Sequence, residues 1–252
     1  MPNQICLSQI LPVPTTHSAV KFQAITDTFD DLPIHQFRAQ SDIHSIKVFC
    51  DADHDGFSTA NLTLVTPTPV PGPTSTATPP HAPLAPPDTS PLPLPLPLPP
   101  CPGHPYALFH GTISIDLPPK RPDIHRSGYA AFRTYAPRPT LFGLGLIDID
   151  PYSYLALRIN SDGSRYFVNL QTDSIVPTDI HQHRLLAETP GEWETVYIPF
   201  TDFVRTNNGT PVQPRDMLRS KLKTVGIGLI DRVPGPYKLA VDRIWVSNVL
   251  SP

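Results

Sequence analysis

Proline is spread along most of the sequence and constrains the fold more than any other residue type. The chain has 35 prolines in 252 residues. Each proline lacks a backbone N–H donor and disrupts the interior of a helix. The sequence therefore predicts a chain made of strands, turns and extended segments. Helix is expected in at most one short segment, near residues 214–221.

Alternating apolar residues indicate strands after residue 106. One segment places its apolar side chains on a single face at a period of two: Phe109, Ile113, Ile115 and Leu117. An Asp-Gly turn within residues 161–164 then joins two further strands as a hairpin. Short strands with regular turn signals are typical of a β-sandwich or a barrel. We therefore expect an all-β fold.

The domain organisation depends on a proline-rich tract at residues 66–105, which ends in the Pro-Leu run Pro91–Pro100. Such a run favours polyproline II and cannot donate to a β ladder. It is a stiff linker between domains, a docking site for an SH3-like or WW-like partner, or a long insertion in one domain. We favour the insertion because surface loops tolerate added residues. The sequence thus predicts a weakly ordered lead-in over residues 1–35 and a single β-sandwich domain over residues 36–250.

Charge and cysteine usage argue against several classes of protein. The formal net charge is −3 and basic residues are mixed with acids, so no nucleic-acid surface is predicted. Cys6, Cys50 and Cys101 lie far apart, as expected for reduced thiols in an intracellular compartment. No apolar run approaches the roughly 20 residues of a transmembrane helix. Residues 1–20 contain no Arg or Lys, so we recognise no clear mitochondrial transit peptide.

Two Gly-x-Gly pairs resemble fragments of a dinucleotide-binding fingerprint. That fingerprint requires a strand and then a glycine turn, which opens a helix that holds the pyrophosphate. The pairs at residues 143–145 and 226–228 are each followed by Leu-Ile-Asp and a turn that contains proline. No helix is expected to begin there, and we predict no nucleotide or other cofactor.

Two histidines form a candidate zinc site. His181 and His183 share one face of an extended segment, and Asp179 or Asp173 would supply a third ligand. The alternative is a polar loop whose histidines are solvated or bonded to carbonyl groups, and this arrangement is the more common one. We therefore predict no metal here.

A second candidate metal site is a run of alternating aspartates. Asp51, Asp53 and Asp55 precede Gly56 like part of a calcium-binding loop, but the bidentate glutamate of an EF-hand is missing. A structural calcium ion of the kind found in β-sandwich binding domains stays an alternative. No Gly-x-Ser-x-Gly nucleophile elbow is present either, and we predict no catalytic residue.

Four aromatic residues are candidates for a sugar-stacking platform: Trp193, Trp245, Tyr154 and Tyr166. Their strand positions are equally compatible with a place in the core, which we favour. A platform would make the chain a carbohydrate-binding module, and this is the alternative function.

The C-terminal half contains an ordered set of motifs, which includes Phe109-His-Gly-Thr-Ile-Ser114, Gly128-Tyr-Ala-Ala-Phe-Arg133, Asp150-Pro-Tyr-Ser-Tyr154, Ser161-Asp-Gly-Ser164, Trp193-Glu-Thr-Val196 and Ile198-Pro-Phe-Thr-Asp-Phe203. This order resembles the complex I intermediate-associated family of NADH:ubiquinone oxidoreductase assembly factors, over residues 106–248. The resemblance continues upstream of the tract, where residues 51–62 look like the family's Asp…Gly-Gly-x-Ser segment. Asp55 stands where the family usually has the first glycine, so a turn that needs positive φ is in question.

The resemblance implies a galactose-binding-like jelly-roll β-sandwich without known catalysis. It also implies a chaperone that binds complex I subunits and other assembly factors in membrane-arm intermediates, at the matrix side of the mitochondrial inner membrane. A fold hosts many functions, so the fold alone does not decide this one. From turn placement, we predict that partners contact loop residues: Asp179, His181, His183, Arg205, Asp231 and Arg232.

Overall fold

The computed structural model describes residues 30–66 and 103–249, apart from positions 120, 137, 138, 142 and 208. Most of the predicted lead-in and the core of the predicted proline-rich insertion, residues 67–102, lie outside the described residues. Among the described residues, no helix is long and apolar enough to cross a membrane.

The described residues form two antiparallel sheets that face each other, which confirms the predicted all-β sandwich. The six-stranded sheet contains β1 (Leu32–Gln36), β3 (Thr59–Val65), β4 (Tyr106–Ile113), β8 (Tyr154–Ser161), β11 (Trp193–Pro199) and β15 (Gly235–Ser247). The seven-stranded sheet contains β2 (Ile46–Cys50), β5 (Ala130–Thr134), β9 (Tyr166–Thr172), β10 (Asp179–Arg184), β12 (Val204–Asn207), β13 (Thr210–Pro211) and β14 (Leu222–Leu229). A separate two-residue pair joins β6 (Pro139–Thr140) to β7 (Gly143–Leu144).

Helical structure in the described residues is short. The helix α1 spans Gln40–His44 and leads directly into β2. The helix predicted near residues 214–221 is wrong, because only a 3₁₀ turn at Arg219–Lys221 forms there. The preceding residues 213–216 are exposed, and Pro214 cannot donate an N–H to a helix.

The core lies between the two sheets and follows from the alternation of side chains. In β9, Tyr166, Val168 and Leu170 are buried, whereas the residues between them are only half-buried. The two sheets meet through rings, since the Phe109 centroid on β4 lies 5.0 Å from that of Phe132 on β5. Within the six-stranded sheet, the Phe109 ring also lies 5.1 Å from that of Tyr237. Each fully buried aromatic side chain contributes about 2–3 kcal/mol through burial of apolar surface.

The longest strand, β15, changes its partner midway. It pairs with β4 as far as Val241 and with β1 from Arg243 onward, and the register shifts at the residue between them. That residue, Asp242, is buried and its carboxylate accepts a hydrogen bond from the Arg38 guanidinium, which also donates to the Pro105 carbonyl oxygen at 3.1 Å. The ion pair therefore fills the junction at which β1 ends and β4 begins.

The strands on either side of the proline-rich tract are neighbours. β3 and β4 pair antiparallel with Val65 opposite Tyr106. The chain therefore leaves and re-enters the six-stranded sheet at adjacent positions. The boundaries of a single domain at residues 36–250 stay a prediction.

Candidate functional site

Four of the six predicted contact residues lie on two neighbouring strands, and their assignment to loops is wrong. Asp179, His181 and His183 belong to β10, and Arg205 belongs to β12 opposite His181. Residues opposite each other in an antiparallel pair share a face. Since His181 is also opposite the core residue Leu170, these side chains point towards the space between the sheets.

Asp179 is held by side chains from β12. The Arg205 guanidinium donates to one carboxylate oxygen through Nε at 2.8 Å and through Nη2, and the Asn207 amide donates to the other at 2.8 Å. These hydrogen bonds, from Asn207 first and then from Arg205, lower the pKa of Asp179. The carboxylate stays ionised, and its pair with Arg205 joins the two strands at the edge of the core.

His181 lines two open clefts. Only 6% of its surface is exposed. Burial, together with the positive charge of Arg205, lowers the pKa of His181, so the ring is neutral near pH 7. One cleft, of about 590 Å³, extends towards Phe203, and the other, of about 320 Å³, extends towards Arg205. Arg215 and Asp216 line both clefts.

Exposed apolar side chains border the smaller cleft. Ile175 is 93% exposed, and Val176 and Leu218 are also exposed. Exposed aliphatic residues beside a cleft are a common feature of protein-interaction surfaces. We refer to this surface as the β10 rim, and its residues are Ile175, Val176, Asp179, His181, Arg205, Arg215, Asp216 and Leu218. Sequence reasoning missed the apolar members, although the adjacent apolar pair before Pro177 in a turn between strands was the available signal.

His183 does not join His181 in a ligand set. Its ring packs against Phe203 with the centroids 5.6 Å apart, and its buried Nδ1 has no hydrogen-bond partner. Within residues 30–66 and 103–249, no group of three His, Cys, Asp or Glu side chains is placed to hold a metal ion. The two histidines therefore have different surroundings despite their alternate positions on one strand.

The remaining two predicted residues lie at the other end of the seven-stranded sheet. Asp231 and Arg232 follow β14, whose last residue, Leu229, is opposite Tyr166. About 20 Å of strand separates this end from the β10 rim. Arg232 has a φ of 57° and donates to the Ser127 carbonyl oxygen at 3.1 Å. These residues shape a turn, and the structure does not bring them to the other four.

The alternating aspartates have separate partners and do not form a calcium loop. Asp51 is 3% exposed, and it accepts hydrogen bonds from Ser58 N at 2.7 Å, Ser58 Oγ at 2.9 Å and Gly128 N at 2.6 Å. Asp53 instead accepts from the Cys50 N–H at 3.3 Å. We refer to the network of Asp51, Ser58 and Gly128 as the Asp51 corner.

Asp55 keeps the turn that the family usually builds with glycine. Its φ of 65° and ψ of 14° are left-handed, a conformation that aspartate tolerates better than most residues. The next residue, Gly56, cannot carry a side chain, because a Cβ there would lie 2.6 Å from Asp51 Cγ. Asp55 therefore adopts the positive φ itself, and Gly56 allows the close approach to Asp51.

The aromatic residues do not form a flat sugar platform. Tyr166 is in the core. Tyr197 meets Tyr154 at an interplanar angle of 87° and Trp245 at 82°, and Trp193 meets Tyr106 at 76°. Rings at such angles pack edge to face and stabilise one another. They do not present coplanar faces for a sugar ring. The predicted place in the core holds for Tyr166 and Trp245, which are buried, whereas Tyr154 and Trp193 are only half-buried.

Comparisons with known proteins agree with this architecture. The family model described as Complex I intermediate-associated protein 30 (CIA30) matches residues 35–241. The chain belongs to this family. A Neurospora crassa protein named "Complex I intermediate-associated protein 30, mitochondrial" is 46% identical over 234 residues, which cover 92% of this chain and 79% of that protein. A mouse protein of the same name is 30% identical over 147 residues, 56% of this chain and 44% of its own length, so the match spans less than half of it.

Two solved structures similar to this family member are carbohydrate-binding modules. A family 11 module from a cellulosomal cellulase of Clostridium thermocellum superposes with a TM-score of 0.52 at 12% identity, over 88% of this chain and 96% of that one. A second structure of a family 11 module from that organism, in complex with a mixed-linked tetrasaccharide, gives a TM-score of 0.50 at 14% identity, over 88% and 98%. At such identities the likeness establishes the jelly-roll fold alone.

Proposed function

We propose that this member of the family binds assembly intermediates of respiratory complex I and acts there as a chaperone without catalysis. The observation that carries the proposal is the family match over residues 35–241 together with 46% identity to a relative named for association with complex I intermediates. The partners are complex I subunits and other assembly factors of the membrane arm. The names of the relatives also support a mitochondrial location, and we place the protein at the matrix side of the inner membrane.

We further propose that the β10 rim is the surface that contacts these partners. Ile175 and Leu218 offer apolar area that a partner would remove from water. Beneath them, the bonds from Arg205 and Asn207 fix Asp179 between two strands, so the surface is preorganised and loses little entropy on binding. Asp231 and Arg232 form a separate end of the domain and are the weaker candidates.

A native-gel experiment on mitochondria tests the proposed function. A tagged copy should migrate with partly built complex I and be absent from the finished enzyme. A copy that migrates alone in mitochondria, or that is not mitochondrial, would contradict the proposal.

Paired surface variants test the proposed contact surface in the same assay. Ile175→Ser combined with Leu218→Ser should reduce co-migration with subassemblies, because both residues border the smaller rim cleft. The matched control is Ile230→Ser combined with Val233→Ser, which also removes two exposed apolar side chains but at the opposite end of β14. No loss in the first pair, or a larger loss in the second, would exclude the rim as the main contact surface.

A further inference from the structure

Two arginines lie opposite each other on the outer face of the six-stranded sheet, which is the face turned away from the core. Arg158 of β8 is paired with Arg243 of β15 in the antiparallel register. Their strand neighbours Leu157 and Ile244 belong to the core, so the two arginines point outwards. Side chains opposite each other in such a pair have Cβ atoms about 5 Å apart. Two positive charges therefore share one small area of this face.

No carboxylate neutralises this pair within residues 30–66 and 103–249. Neither guanidinium group forms an ion pair there. Asp242 precedes Arg243 in the sequence, but its side chain is only 3% exposed and is already bonded to Arg38. Glu194 of the neighbouring β11 is opposite the core residue Ile159, so it lies on the other face of its strand. Like charges directly opposite each other destabilise a strand pair, and an anion bound between them would offset this cost.

Both guanidinium groups are held in place by uncharged side chains. The Cζ atom of Arg243 lies 4.2 Å from the centroid of the Trp245 ring, which is a cation–π contact. Arg158 donates from Nη1 to Thr195 Oγ1 at 3.3 Å. A guanidinium group has five N–H donors, and Arg158 uses one of them in its contacts with the described residues. Since Arg243 is exposed and Arg158 is half-buried, a ligand can reach groups that are already oriented.

Aromatic rings border the arginine pair on both sides along β8. On one side, Tyr197 and Trp245 are both opposite Ala156, and their ring centroids lie 6.2 Å apart. On the other side, Trp193 is opposite Asn160. These two positions on β8 are about 13 Å apart along the strand, which leaves room for one small anionic group. The rings lower the local exposure to water, and charges attract each other more strongly in such surroundings.

We propose that Arg158 and Arg243 together bind a phosphate monoester group. Such a group carries nearly two negative charges at pH 7 and three strong acceptor oxygens, so it matches two guanidinium groups at once. A carboxylate carries one charge, and a single arginine fork satisfies its two oxygens. This site goes beyond the proposed association with complex I intermediates and does not depend on it. A soluble phosphate ester and a phospholipid headgroup share this chemistry, and the tests below separate them.

Titration calorimetry on the full chain at pH 7.5 tests the charge requirement. Phenyl phosphate is the probe, and phenyl sulfate keeps its shape with one negative charge fewer. We expect phenyl sulfate to bind about tenfold more weakly. Arg158→Gln and Arg243→Gln should each weaken the binding of phenyl phosphate by a similar factor. The matched control is Arg184→Gln, which removes an exposed strand arginine that is opposite Phe167, and it should leave the affinity unchanged.

Vesicle binding distinguishes the two sources of the phosphate. Phosphatidic acid presents a phosphate monoester, so vesicles of phosphatidic acid in phosphatidylcholine are compared with phosphatidylcholine alone. Binding that requires phosphatidic acid and is lost in Arg243→Gln would assign a lipid headgroup. Binding of phenyl phosphate without vesicle binding would assign a soluble ester.

A nuclear resonance measurement on the unmodified protein does not depend on the folding of a variant. The ¹⁵Nε resonances of Arg158 and Arg243 should both shift on addition of phenyl phosphate, whereas that of Arg184 should not. Equal affinities for phenyl phosphate and phenyl sulfate would overturn the proposal. So would equal effects of the Arg184→Gln and Arg243→Gln substitutions, or unshifted resonances of the arginine pair.

Discussion

The Asp51 corner and the β10 rim each contain a buried aspartate, but the two carboxylates are stabilised in different ways. Asp51 is surrounded by short-range donors: two backbone N–H groups and one hydroxyl, all within 2.9 Å. Asp179 is stabilised by side chains from a neighbouring strand, one of them the Arg205 guanidinium. The first arrangement closes a corner of the fold, and the second forms the floor of an open surface.

This difference indicates which of the two regions is open to a binding partner. The Asp51 corner links three segments that are distant in sequence: Gly128 N donates to Asp51, and the Ser114 N–H donates to Ser58 Oγ at 3.0 Å. The polar groups of the corner form hydrogen bonds with one another. At the β10 rim, His181 faces two clefts and Ile175 faces solvent. We infer that the corner serves stability and that the rim serves recognition.

The largest expected effect is the removal of the Asp51 carboxylate. Asp51→Ala leaves buried donors without acceptors, and we expect the free energy of unfolding to fall by about 3 kcal/mol or more. Urea denaturation followed by circular dichroism measures the change. The control Asp116→Ala removes an exposed carboxylate and should change stability by less than about 0.5 kcal/mol. Equal losses of stability in the two variants would show that the hydrogen bonds of the Asp51 corner do not stabilise the fold.

A smaller loss of stability is expected at the β10 rim, where substitutions test the ion pair between Asp179 and Arg205. Arg205→Leu leaves Asp179 with the amide of Asn207 but without its guanidinium, and stability should fall by less than in Asp51→Ala. The double variant Asp179→Leu/Arg205→Leu should recover part of the loss, since no uncompensated charge remains. The midpoint of urea denaturation reports both. A double variant whose loss of stability equals the sum of the two single losses would show that these residues are not coupled.

The buried histidines predict a pH dependence that carboxylates do not share. Burial lowers the pKa values of His35 and His181 from 6.5, so the folded state resists protonation that the unfolded chain accepts. Stability is therefore complete above pH 6.5 and falls as the pH drops towards the lowered values, by at most about 1.4 kcal/mol per pH unit for each histidine.

Substitution of one histidine isolates this contribution. His181→Gln should flatten the slope of stability between pH 6.5 and pH 5, whereas His54→Gln, at an exposed position, should not. Asp179, whose pKa is lowered from 3.8, contributes stability that is lost only at pH values below that range. Denaturation midpoints measured across pH 4.5–8 provide the test, and an unchanged slope in His181→Gln would disprove the assignment.

The smallest expected effect concerns the left-handed turn beside the Asp51 corner. Asp55→Gly removes the strain of a positive φ, and we expect a gain of about 0.5 kcal/mol after the greater chain entropy of glycine is included. Ala52→Gly, in the adjacent 3₁₀ turn, should lower stability by a similar amount. Thermal denaturation measures both changes in stability. A lower melting temperature of Asp55→Gly would show that the Asp55 side chain stabilises the fold by more than its positive φ costs.

Particular residues show how far sequence reasoning reached. The alternation of β9 and the Asp-Gly turn before it predicted a hairpin, and that pairing is wrong. Both strands form, but β8 pairs with β11 and β15 in the six-stranded sheet, whereas β9 pairs with β10 and β14 in the seven-stranded sheet. The helix predicted near residues 214–221 did not form: Pro214 has no N–H to donate, and the Gln213 carbonyl oxygen just before it accepts a hydrogen bond from Arg205 of β12 at 3.2 Å. His181 and Arg205 were predicted as contact residues. Arg215 and Leu218 gave no local signal, because only the fold brings them next to β10 and β12 beside the smaller cleft.

The sequence by itself determined the β class, the jelly-roll family and the places where turns occur. These depend on the period-two burial of side chains and on the backbone restrictions of Gly, Pro and Asp, which act within a few residues. Only the tertiary structure decided which polar groups meet. Asp51 and Gly128 are 77 residues apart, and Arg38 and Asp242 are 204 apart. Strand order and register bring such pairs together, and they fix which aspartate closes a corner and which supports an exposed surface.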